Sequence, residues 1–85
     1  MINDTMDPHR WVQTLATALD VPTPSQAEID DLLALAGDAA HASQRWAAPI
    51  STYLAAQAGL STADARALVK RLADAAAGPI TEPDA

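Results

Sequence analysis

Five side chains able to make strong polar or stacking contacts fall within sixteen residues of an otherwise alanine-rich chain: Asp38, His41, Arg45, Trp46 and Tyr53. Asp38 and His41 stand three apart, the spacing at which two side chains on one helix can meet. Arg45 and Trp46 follow directly, and Tyr53 stands one helical turn beyond Pro49. Such a set could form a small polar binding pocket. His41 would be a general base oriented by Asp38, and Arg45 would hold an anion. The same residues also have a structural reading. His41 then stabilises a helix C-terminus, Asp38 pairs with it or with Arg45, and Trp46 is a half-buried plug between two helices. No nucleophile stands at a recognisable elbow, because Ser51 and Thr52 fall where a helix begins.

Other chemistry is poorly supplied. There is no cysteine, which excludes a disulfide framework, a thiolate metal site and a cysteine nucleophile. The two histidines, His9 and His41, lie in different helices without a ligand-rich motif, so no metal site and no cofactor are expected. The net charge of −6 disfavours phosphate backbones and anionic membranes. The segment from Gly59 to Leu72 resembles the recognition helix of a helix-turn-helix, with Arg66, Lys70 and Arg71 on it. No hairpin wing follows it, and Lys70 and Asp74 suit an i,i+4 pair on a solvated face. No apolar stretch is long enough to span a bilayer, and the first residues lack the pattern of a signal peptide.

The elements that must position these residues are helices. The length of 85 residues suits one domain. Nine Leu, four Ile, three Val and no Phe provide few large apolar groups, while alanine favours helices that approach closely. A first helix is expected from an Asp7 cap and Pro8 to about Asp20, with Trp11, Val12, Leu15 and Leu19 on its inner face. Val21-Pro22-Thr23-Pro24 then forces an extended turn. Ser25 and Glu28 form a capping box, and Glu28, Asp30 and Asp31 suit a first helical turn. Ile29, Leu32, Leu33, Ala36 and Ala40 make the expected buried stripe of this second helix, which runs to about His41–Ser43. Pro49 opens a third helix, with Ile50, Tyr53, Leu54, Gln57 and Ala58 on one side and Gly59 as a left-handed cap. Ser61-Thr62-Ala63-Asp64 starts a fourth, with Ala65, Leu68, Val69, Leu72 and Ala76 inward and Gly78-Pro79 as its stop. The expectation is an all-α chain, a compact bundle of four short helices, ordered over about residues 7–78 with flexible termini. Its largest core members are expected to be Trp11, Leu19, Leu33, Tyr53, Leu68 and Leu72.

The segment Asp38 to Leu54, with Trp11 and the helix around it, resembles an uncharacterised bacterial family of small helical domains. The shared pattern is carried here by Asp38, Ala40, His41, Arg45, Ala47, Ala48, Pro49, Tyr53 and Leu54, and it extends over roughly residues 8 to 77. Members more usually have proline after the arginine, where this chain has Trp46. They occur alone or fused to molybdopterin-guanine dinucleotide biosynthesis proteins. The resemblance implies an accessory role near molybdenum-cofactor maturation, with a biosynthesis enzyme as the protein partner, and no known reaction; the expected cytoplasmic location rests on the lack of cysteine and of a signal-peptide pattern. The reading favoured by the sequence is therefore a non-catalytic accessory or interaction module, with a homodimer compatible with it. The alternatives are a DNA-binding fragment using the fourth helix and a small enzyme using His41.

Overall fold

A computed structural model describes residues 7–77. They form four α-helices, and no strand is present among them. α1 spans Pro8–Leu19, α2 Gln26–Ala42, α3 Ala47–Gln57 and α4 Thr62–Ala77. The expected stop at Gly78-Pro79 and the expected flexible termini lie outside the described residues.

The helix ends follow from local chemistry. The Asp7 carboxylate accepts from the backbone N–H groups of His9 (3.1 Å) and Arg10 (3.2 Å), donors that α1 cannot satisfy internally. α1 closes with Asp20 at φ 59°, while the Val21 N–H reaches back to the Ala16 carbonyl at 3.0 Å. At the start of α2 the Glu28 N–H donates to Ser25 Oγ at 3.1 Å, and the Ser25 N–H donates to Glu28 Oε1 at 2.8 Å. That reciprocal pair is a complete capping box. α3 ends in a Schellman motif, with Gly59 at φ 75° and the Leu60 N–H on the Ala55 carbonyl at 3.3 Å. The Asp64 N–H finds Ser61 Oγ at 3.1 Å as α4 begins.

One boundary and the place of two acids differ from expectation. α3 begins two residues before Pro49, because bonds from Ala47 N–H to Gln44 and from Ala48 N–H to Arg45 wind the connector directly into the helix. Pro49 then sits in the first turn, where its missing N–H costs nothing. Because α2 begins at Gln26, Asp30 and Asp31 fall in its second turn and are used otherwise. Asp30 Oδ1 accepts from Gln26 Nε2 at 2.9 Å. Asp31, less than a quarter exposed, reaches α4, where it accepts from Thr62 Oγ1 at 3.0 Å and pairs with Arg66 at 3.1 Å.

α2 is the central element and packs along both α4 and α3. Among the described residues no other helix meets α1 over a comparable length. Ala16 of α1 is nevertheless buried, beneath the trailing segment Val21, Pro22 and Pro24. The rest of the core is Leu35 and Ala39 of α2 with Ala65 of α4. This corrects the expected core. Trp11, Leu19, Leu33, Tyr53 and Leu72 are all exposed, and only Leu68 among the six is partly covered. The inner edge of α3 is Ala48, Ser51, Thr52 and Ala55, not Ile50, Tyr53 and Leu54. The reason is geometric: helices that meet through alanine and serine approach closely, and the larger side chains on the same helices must then turn outward.

Candidate interaction surface

α2 delivers Asp38 and His41 on its last turns and stops at Ser43, whose N–H donates to the Ala39 carbonyl at 3.1 Å. The turn that follows places Arg45 just before Trp46, the residue capping α3. Tyr53 stands in the second turn of α3. Asp38 is half-buried, and His41, Arg45, Trp46 and Tyr53 are exposed.

The expected polar pocket does not form. Among the described residues no hydrogen bond or ion pair joins Asp38, His41 and Arg45; the ion pairs are Asp31–Arg66 and Lys70–Asp74. Trp46 is 65% exposed and plugs no gap between helices. Small, partly covered side chains at Ala47, Ala48 and Ser51 make the contact of α3 with α2, and the indole lies outside it. The polar groups are solvated instead, which for exposed charges is worth about as much as pairing them.

Nothing else assembles a reaction centre. Thr52 Oγ1 donates to the Pro49 carbonyl at 2.8 Å within its own helix. Among the described residues no group of three or more histidine, aspartate or glutamate side chains could hold a metal ion. Of the three cations on α4, Arg66 is held by Asp31 and Lys70 by Asp74 at 3.0 Å. No helix of the described chain is long and apolar enough to cross a membrane.

The connector presents a surface instead. Trp46, Ile50 and Tyr53 follow one another at spacings of four and three, which puts them on a single helical stripe. They are 65, 48 and 61% exposed. Leu54, also exposed, turns from this stripe toward a second feature, an apolar groove between α3 and α4. Its walls include Leu54, Ala58, Leu60, Leu68, Val69 and Leu72, and it encloses about 250 Å³. Trp46 and Tyr53 were legible as candidates from their clustering with Arg45. Ile50 and the groove were missed, because the pattern alone placed Ile50, Leu54 and Leu72 inside. The Asp31–Thr62–Arg66 clasp was missed as well; its signal is that Asp31 lies four residues before Leu35, on the face that becomes buried.

Residues 3–84 match the family described as a domain of unknown function, DUF6457. The chain belongs to the DUF6457 family. No curated protein and no solved structure matches it. The match spans all four helices, so in this DUF6457 chain α1 and the Asp38–Tyr53 connector both fall within it.

Proposed function

We propose that this DUF6457 chain is a non-catalytic helical accessory module that binds a protein partner through the Trp46–Ile50–Tyr53 stripe. The observation that carries the reading is that stripe: three large apolar side chains uncovered on one face of one helix. Tryptophan, tyrosine and arginine are the residues that most often dominate binding energy at protein interfaces, and Arg45 borders the stripe in sequence. Contiguous apolar surface of this kind on a small domain marks a contact site. Asp38, His41 and Arg45, free of internal ion pairs, form the polar edge that would align the partner. The resemblance carried by Asp38 to Leu54 directs the search for that partner to molybdopterin-guanine dinucleotide biosynthesis enzymes, and a cytoplasmic location goes with it.

The test is calorimetric titration of the purified chain into the host's molybdopterin-guanine dinucleotide biosynthesis enzyme. Trp46→Ala and Tyr53→Ala should each weaken binding by roughly 30-fold, the effect of losing a hot spot worth about 2 kcal/mol, with helix content unchanged. His41→Ala should leave the melting temperature within a few degrees, since His41 is exposed and makes no hydrogen bond. Unchanged affinity in both aromatic variants would remove the stripe from the interface. Salt-sensitive binding of duplex DNA in place of the enzyme would favour a nucleic-acid role.

A further inference from the structure

α1 has an apolar face without a partner, and the α3–α4 groove is an apolar surface without an occupant. Trp11, Leu15 and Leu19 recur every four residues along α1, and Val21 follows on the segment that covers Ala16. These four remain 52, 41, 62 and 50% exposed. They leave on the order of 400 Å² of apolar side chain uncovered. The groove, at about 250 Å³, is smaller than the roughly 300–1,000 Å³ of small-molecule sites and is of the size of one or two large side chains.

We propose that α1 of one copy lies in the α3–α4 groove of a second copy, so that the chain is a twofold-symmetric dimer with exchanged first helices. Three observations select a second copy as the occupant. The first is stoichiometry: each chain offers one helix and one groove, and a twofold axis satisfies both at once and closes the assembly. The second is area. Two such contacts, counting each helix and the groove wall it covers, offer at most roughly 1,600 Å², enough to clear the roughly 1,000 Å² that a specific interface needs. The third is the hinge. Asp20 in the left-handed region and the bond from Val21 N–H to the Ala16 carbonyl fix the exit from α1. Pro22 and Pro24 then hold Val21 and Thr23 extended. A short, stiff link that holds a helix away from its own bundle is the arrangement that favours exchange between copies. The Trp46–Ile50–Tyr53 stripe takes no part in this contact.

The experiment measures mass and Trp11 environment together on the full chain. Sedimentation over a range from micromolar to millimolar should show a shift from 8.8 kDa to twice that mass. In a Trp46→Phe background Trp11 is the sole tryptophan, and its emission should move to shorter wavelength with the same midpoint. Leu72→Glu and, separately, Leu60→Glu should abolish both changes. Both leucines are exposed, so the helices should survive, as circular dichroism will verify. Each copy carries −6, so added salt should tighten the dimer by screening repulsion, where an ionic interface would loosen. A chain that stays at 8.8 kDa up to millimolar concentration overturns the proposal. So does a dimer in which Trp11 stays wet, or one indifferent to both groove variants. A concentration-independent short-wavelength emission from the monomer would mean that α1 closes on its own groove, and would overturn it equally.

Discussion

Asp31 is the residue whose environment most exceeds its sequence context. It satisfies both carboxylate oxygens across two helices, accepting from Thr62 and pairing with Arg66. The pair is unequal in exposure, with side chains 20% exposed at Asp31 and 50% at Arg66. The Arg66 contribution is therefore screened and small. Asp31→Ala should cost about 1–2 kcal/mol in urea denaturation, because it also strands the half-covered Thr62 hydroxyl. Arg66→Ala should cost about 0.5 kcal/mol, and a double-mutant cycle should return a coupling below about 1 kcal/mol. Asp20 makes the opposite case. At φ 59° it is the non-glycine residue with positive φ among those described, and aspartate tolerates that region at a cost glycine does not have. Asp20→Gly should raise stability by about 0.5–1 kcal/mol, read in the same denaturation series, if the conformation persists in the folded chain. The left-handed residue at Gly59 could be read from the sequence; that at Asp20 could not, since aspartate before Val-Pro fits an ordinary turn equally well.

At the scale of the helix, the ends were legible except the start of α3, and the faces only in part: α4 turns Ala65, Leu68 and Val69 inward as expected, while α1, α2 and α3 leave large residues outside that were expected within. Caps are local: Asp7 before Pro8, Ser25 with Glu28, Ser61 ahead of Asp64, and Gly59 after Ala58 each act within a few bonds of themselves. The choice of face depends on what lies across the contact. In α2, Leu32, Leu33 and Leu35 span most of a turn, and any of them could head the buried stripe. Packing of α2 against α4 and α3 buries Leu35, with Ala39 one turn further on, and Leu33 is left outside. Leu35→Ala should cost about 2–4 kcal/mol and Leu33→Ala less than about 0.5 kcal/mol. Equal losses in thermal melts of the two variants would restore the stripe that periodicity alone suggests. α3 shows the same ambiguity, because alanine lies on every side of it and the pattern does not say which alanines touch a neighbour. The candidate site shared this fate: its members were named from the sequence, but their outward orientation follows from a helix contact made elsewhere.

For the whole molecule the consequence is a narrow margin. Leu35 is the one large side chain fully buried among the described residues, and a chain of 85 residues has little further apolar surface to withdraw from water. A charge of −6 on so small a domain then opposes folding through self-repulsion. Salt screens that repulsion over a Debye length comparable to the spacing of the charges. Raising sodium chloride from a few millimolar to physiological strength should therefore lift the melting temperature of dilute chain by about 2–4 °C, near half a kcal/mol for this size. A fall would mean that the Asp31–Arg66 and Lys70–Asp74 pairs outweigh the net charge.

The small-residue seams have a consequence for how such a chain can change over generations. Where Ala39, Ala65, Ser51 and Ala55 set the spacing of the helices, an inherited substitution that adds volume must push backbone from backbone, so these sites have a ceiling on size. The leucines and aromatics outside have no such ceiling and are free to drift unless something binds them. The usual pattern of invariant large residues and variable alanines is then inverted, and any outward leucine or tryptophan that lineages have kept is held by a partner and not by the fold.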